Sequence, residues 1–434
     1  MTIEISAEHS QKKIGLIKAL ALSAIIAIGL LVAMWPRLAA AHGERSEPPF
    51  LRMSTAQFYD TQWSAKTIKV NEELIVTGRF RIVENWSFAI APPRLAFLNV
   101  GVPGPVMVRE ASYIDGVNGA ASTSLEPGRD YEYKIVLRGR IPGSYHVHPM
   151  LDVLDTGALL GPGNWITVEG NAASFTDPVT TLLGNKIDLA HYGLGAVMTW
   201  HAIWIVLAIG WLLYWIRKPL LIPRYEAVMH GEGESLVSPT DRLVGIGLLV
   251  VTLLILGAGV VATRAMYPVT IALQSAWMRI PPLPKQPDTI SIKADRVVYY
   301  VPGRTVELWA KVTNHGDKPV RLGEFTTAGL RFMNATVSKV GADFPPELVV
   351  PDGLVVEPNE PIQPGETRQL HILMTSEVWE TDRLTALVHD PSSRMGGLFM
   401  FFDPEGNRSI VEFDSEMLPI FRRNDTQTAS ASGS

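Results

Sequence analysis

Two long apolar stretches, residues 193–216 and about 243–262, restrict what this chain can become more than any other feature. Each is close to the ~20 residues that a helix needs to cross about 30 Å of hydrocarbon. Neither contains an acidic or basic residue apart from His201. A core helix of a soluble protein is the alternative, and the length and near-absence of charge argue against it. Arg217, Lys218, Arg224 and Arg242 lie in the short connection, and a short basic loop beside two spans reads as cytoplasmic. The long segments before and after the spans then share the opposite side. Trp200, Trp204, Trp211, Tyr214 and Trp215 load the first span. Those near its ends fit interfacial belts, and the others could face partner helices.

A third apolar run, Ala19 to Met34, follows Lys12, Lys13 and Lys18 and is closed by Ala39-Ala40-Ala41. This is the layout of a secretory signal, residues 1–41, with cleavage after Ala41. Roughly 16 residues is long for a signal and short for a span, so an uncleaved anchor is the alternative. The expected organisation is an outer domain at 42–188, a transmembrane helix at 189–216 and a cytoplasmic loop at 217–242. A second transmembrane helix at 243–266, a second outer domain at 267–421 and a disordered tail at 422–434 complete it.

Both outer domains read as β. Residues 67–71, 74–82, 95–102 and 131–137 are strand-like and separated by Gly/Pro turns, and Tyr131-Glu-Tyr-Lys-Ile-Val-Leu alternates as a half-buried strand does. Residues 297–301, 305–312 and 368–374 have the same character, with turns at Asn314-His315-Gly316-Asp317 and Gln363-Pro364-Gly365-Glu366. Short strands at this spacing without a good helix predict sandwiches or barrels.

Cysteine is absent, which excludes disulfides, Cys-ligated zinc, iron–sulfur clusters, Cys nucleophiles and blue copper. A formal net charge of -5 over 434 residues gives no nucleic-acid footprint. Histidine is the remaining strong ligand. His146 and His148, separated by Val147, project from one face of a strand. His-x-His alone is a weak motif, because structural histidines often produce it. His42 strengthens it if cleavage follows Ala41, since a terminal amine and an imidazole then sit on one residue. An α-amine titrates near 8 and yields its proton to a metal at neutral pH. Four such nitrogens suit copper, while zinc could also occupy them as a tetrahedron. An ordinary exposed residue after a signal is the competing reading of His42. His201 lies inside a span, where an ionisable group is a functional candidate by default, although a hydrogen-bonded structural histidine explains it more simply. His9, His191, His230, His315, His371 and His389 are scattered. No hydrolase elbow, phosphate-binding glycine loop or dinucleotide fingerprint is present.

Longer blocks carry a resemblance. They are His42-Gly-Glu-Arg-Ser-Glu-Pro-Pro-Phe-Leu-Arg-Met, Ala96-Phe-Leu-Asn-Val-Gly-Val-Pro-Gly-Pro-Val, Tyr145-His-Val-His-Pro-Met-Leu and Gly161-Pro-Gly-Asn-Trp-Ile-Thr-Val-Glu-Gly. Gly323-Glu-Phe-Thr-Thr-Ala-Gly-Leu-Arg-Phe-Met-Asn and Asp390-Pro-Ser-Ser-Arg-Met-Gly-Gly-Leu add to them. From His42 to about Phe421 the chain resembles the B subunit of copper membrane monooxygenases, the particulate methane and ammonia monooxygenases and their short-alkane relatives. The resemblance implies two cupredoxin-like β-sandwich domains joined by two transmembrane helices. It also implies a complex with A and C subunits, a trimer of three-subunit protomers, in contact with membrane lipid and an electron donor such as a quinol. The location it implies is a bacterial inner or intracytoplasmic membrane, with both domains periplasmic. Its B-subunit copper ligands map onto His42, His146 and His148. Some members have a further site with a histidine where this chain has Gln57, so that pattern is broken here. Oxygen chemistry at this copper is one expectation. A membrane-anchored scaffold with structural copper, catalysis residing in partner subunits, is the other. A copper chaperone fits less well, because the 14 methionines form no cluster.

Overall fold

A computed structural model describes residues 47–421, apart from 120, 182–183, 217, 219–220, 269–276, 340, 342–343 and 391–393. The expected signal, His42 and the expected tail lie outside the described residues.

Alternating side chains build the first β-domain. Its strands are β1 (Ala56–Trp63), β2 (Thr67–Lys69), β3 (Glu73–Ile82), β4 (Ala96–Gly101), β5 (Met107–Ile114), β6 (Val117–Asn118), β7 (Ser122–Thr123), β8 (Arg129–Gly139), β9 (Gly143–Val153), β10 (Gly157–Leu160) and β11 (Asn164–Glu169). One sheet has the order β1-β3-β8-β5-β6. The other runs β7-β4-β9-β11-β2, with Trp277–Met278 added beside β7 and β10 paired to β9. Leu74, Val76, Phe80 and Ile82 of β3 and Tyr131, Tyr133, Ile135 and Leu137 of β8 point inward. They share a core with Leu98, Val147, Leu151, Val153, Ile166 and Val168 of the second sheet. Inner faces of two sheets meeting in this way make a sandwich.

The second β-domain repeats the plan. One sheet orders Leu354–Glu357, Thr367–Thr375, Thr305–Asn314, Ile290–Tyr300 and Leu418–Ile420. The other orders Val349–Val350, Leu330–Met333, Arg321–Thr327, Arg394–Phe402 and Arg408–Glu416. Phe325 lies 4.5 Å from Phe399 and 6.2 Å from Phe413, centroid to centroid, at the centre of this core.

Three helices separate the domains and one precedes them. Helix α1 is Pro49–Met53, α2 is Leu194–Trp215, α3 is Ile222–Met229 and α4 is Pro239–Met266. Helices α2 and α4 are long and apolar enough to cross a membrane and expose their apolar side chains along their length. Within a bilayer a helix satisfies its own backbone, so such an exterior is stable against lipid or another helix. Helix α4 begins at Pro239, earlier than the apolar run. Ser238 and Asp241 exchange side-chain and backbone hydrogen bonds in a capping box, and proline occupies the first turn. Tyr214 and Lys218 both donate to the Asp241 carboxylate, joining the two long helices at that end. Part of the stretch expected as a loop, 217–242, is the short helix α3.

Two segments lie with the opposite domain from the one their position in the sequence suggests. Phe50 and Met53 of α1 belong to the core of the second domain. Ile280, beyond the membrane helices, belongs to the core of the first. A charged network also crosses between the domains. The Arg81 guanidinium donates to Asp130 and to Glu412, each at 2.7 Å, and Tyr59 donates to Asp130 at 3.0 Å. Burial, reinforced by the Asp130 charge, raises the Tyr59 phenol well above its ordinary range, so it remains a donor.

Removing a buried aromatic ring from the Phe325 cluster is expected to cost about 3–5 kcal/mol. Phe325→Ala should therefore lower the thermal unfolding midpoint of the second domain. Phe88→Ala, at a side chain 83% exposed, should leave it nearly unchanged. Equal midpoints for the two variants would contradict this packing.

Candidate metal centre

The paired histidines sit on β9, whose pleat turns Val147 into the domain core and His146 and His148 to the other face. An outward face of a sheet is normally wet. Here His146 is 7% and His148 4% exposed, so other groups cover them. The cover comes from the segment that follows β10, Gly161-Pro162-Gly163, and from Trp165 of β11. Trp165 pairs with His146 across the β9–β11 ladder, and its ring lies 5.0 Å from the imidazole.

The two imidazoles are 4.3 Å apart between centroids and nearly perpendicular, at 84°. Gly163 makes this arrangement possible. A Cβ at that position would lie 2.3 Å from His148 Cε1 and 2.7 Å from His146 Cε1, so both rings occupy the space a side chain would take. His148 Nδ1 is 2.9 Å from the Gly161 carbonyl oxygen. A ring N–H donated there leaves Nε2 with its lone pair, the form of imidazole that ligates a metal. Two buried imidazoles, one oriented by a backbone carbonyl, make a donor set that fits a borderline metal ion.

Among the described residues, the other histidines do not join them. His191 contacts Asp188, His315 contacts Ser291 and His371 contacts Glu307. Within α2, His201 Nδ1 lies 2.8 Å from the Val197 carbonyl oxygen, the structural role that its place in a span allows. Among the described residues no group of three or more His, Asp or Glu side chains is placed to hold a metal. His42 lies outside the described residues. Gln57 is buried and donates to the carbonyl oxygens of Arg52 and Met53, both at 2.8 Å. It closes the end of α1. Gly163 and Trp165 are site residues that sequence reasoning missed. The Gly161-Pro162-Gly163 run read as strand punctuation and as part of a block carrying the family resemblance, with no site role given to Gly163, and the pairing of Trp165 with His146 depends on a register between strands.

A paired-histidine site on the first of two β-sandwiches, with two apolar helices between them, defines a membrane-anchored protein with a candidate metal centre outside the helices. Comparison with known proteins supplies the class. The family of monooxygenase B-subunit proteins matches residues 43–421. The "Particulate methane monooxygenase alpha subunit" of Methylococcus capsulatus is 43% identical over 401 residues, covering 91% of this chain and 97% of that protein. The chain belongs to the monooxygenase B-subunit family. Its homologue is thus a subunit of an oxidoreductase complex. Among solved structures, the cupredoxin domain of amoB from Nitrosocaldus yellowstonii covers 28% of this chain and 91% of its own, at 20% identity and a TM-score of 0.23.

Gly163→Ala is expected to push both imidazoles from their places. Affinity for an added divalent ion such as Cu²⁺ should fall about tenfold or more, equivalent to ~1.4 kcal/mol. A competition titration measures it, and an unchanged affinity would mean that these rings do not form a metal site.

Proposed function

We propose that this chain is the copper-binding B subunit of a membrane monooxygenase that hydroxylates methane, ammonia or a short alkane. In that reaction one oxygen atom of dioxygen enters the substrate and the other leaves as water, with two electrons and two protons drawn from a donor such as a quinol. The partners are A and C subunits, arranged as a trimer of three-subunit protomers, and the apolar exteriors of α2 and α4 are suited to their helices and to lipid. The location is a bacterial inner or intracytoplasmic membrane, with both cupredoxin-like β-domains on the periplasmic side.

The observation that carries the reading is the convergence of His146 and His148 over Gly163. His42 is the third residue of the set. Once the signal is removed after Ala41, it offers an amine and an imidazole together. The five residues from His42 to Glu47 span at most about 17 Å, so the new terminus has a short reach from where the described chain begins. Bound there, copper would supply redox and Lewis-acid chemistry. The chain's own residues contribute in other ways. His146 and His148 would donate nitrogen, Gly161 orients His148, and Trp165 lies against His146.

That burial also favours a second reading. A pair exposed by only 7% and 4% leaves little room for a substrate, which suits a scaffold subunit whose copper is structural while catalysis resides in the partner subunits. Replacing His146 and His148 together with Ala should remove one site's worth of copper from the purified complex. Unchanged copper content would end the assignment. Copper loss with full turnover retained would select the scaffold reading. Mass spectrometry of the mature chain should find His42 as its first residue, and any other start removes the chelating amine.

A further inference from the structure

The connection between α2 and α4 contains a helix that turns its apolar side outward. Helix α3 has proline in its first turn, where a missing N–H costs nothing, and is closed by Gly231 at a φ of +79°. A helix repeats every 3.6 residues, so Ile222, Tyr225, Val228 and Met229 fall on one arc of it. They are 71%, 66%, 57% and 66% exposed. Arg224 and Ala227, on another side, are the half-buried residues. A surface helix of a globular domain is built the other way round, with its apolar arc turned to the core.

The helix is also held at a particular level. The Arg224 guanidinium lies 5.3 Å from the centre of the Trp215 ring. Trp215 is the last residue of α2 and packs against Trp211 and Tyr214. Lys218 lies over the Tyr214 and Trp215 rings, at 5.1 and 5.6 Å, and donates to Asp241 in the first turn of α4. At this end the two long helices finish in one layer of aromatic rings, cations and a carboxylate. Indole and phenol rings favour the headgroup level of a bilayer, where one part of the ring is dry and another wet. Arg224 fixes α3 to that layer.

We propose that α3 lies in the plane of the membrane surface, with Ile222, Tyr225, Val228 and Met229 among the acyl chains and Arg224 at the lipid phosphates. The proposal rests on the reading of α2 and α4 as spans. Two observations choose lipid as the occupant. First, α3 adjoins a surface that faces hydrocarbon in that reading, because its Arg224 touches the last ring of α2. Second, the arc is bordered by a cation. Arg224 and Val228 are four residues apart and so are neighbours on the helix surface. Among the described residues no carboxylate pairs with Arg224. Phosphate oxygens complement a guanidinium, and its stem can lie along apolar groups while the charge stays at the phosphates. Another protein has to bring an acidic group to that place, whereas a bilayer presents phosphates at that level on every side. Eight residues make a marginal helix in water, and burying the arc in the interface stabilises it.

The chain has no cysteine, so one introduced residue is its only thiol. The full chain, carrying a nitroxide on Tyr225→Cys, Val228→Cys or His230→Cys, is placed in phosphatidylcholine–phosphatidylglycerol vesicles. Collisions with oxygen report lipid, and collisions with a nickel chelate report water. The Tyr225→Cys and Val228→Cys labels should lie about 5–10 Å into the headgroup–acyl boundary and favour oxygen. The His230→Cys label, outside the arc, should favour nickel. Labels on Tyr225→Cys and Val228→Cys that favour nickel overturn the proposal, and so does shielding of both from both reagents, which marks protein contact. Ile205→Cys in α2 and Leu254→Cys in α4 test the spans separately and should be closed to nickel. If they are open to it, the reading of the spans fails and this proposal with it. In the intact complex, a benzophenone side chain in place of Tyr225 should join no other subunit on irradiation, and a cross-linked subunit there overturns the proposal.

Discussion

Two crossings bring a chain back to the side from which it started. As two membrane crossings, α2 and α4 would impose that constraint on everything outside them. Both β-domains would then end on one side of the bilayer, where they can become one structure. The Arg81–Glu412 pair, the α1 arm in the second core and Ile280 in the first all join parts of the chain from opposite sides of the helical segment.

The β-domains were largely legible in the sequence because the alternation of Leu74 to Ile82 and of Tyr131 to Leu137 is local and has one solution when one face is buried. The shared face of His146 and His148 was legible for the same reason. The start of α4 was missed by four residues, since hydropathy does not register the Ser238–Asp241 capping box. Helix α1 was not legible at all. Phe50, Arg52 and Met53 acquire their meaning from Asp382, Asp390 and Gly396, and no periodicity in a five-residue segment announces partners so distant. The cover of the candidate site was hidden in a similar way. Gly163 reads as a turn until β9 and β11 are placed side by side, and only then does the missing side chain become the space for two imidazoles.

The site thus shows a division of labour. One sheet of the first domain supplies two imidazoles and fixes one tautomer through Gly161. Both imidazoles are buried, and a low-dielectric setting strengthens any charge interaction there. The second domain contributes no described residue to the histidine pair, and its core holds Phe50 and Met53 of α1.

The central claim is that His146, His148 and the mature N-terminus hold one copper ion. The most direct measurement is pulsed EPR of the Cu(II)-loaded complex, prepared once with natural nitrogen and once with ¹⁵N-labelled histidine. The account predicts couplings from several imidazole nitrogens together with a directly bound amine, all shifting on histidine labelling. A copper signal without imidazole couplings, or with couplings that ignore the histidine label, would contradict it.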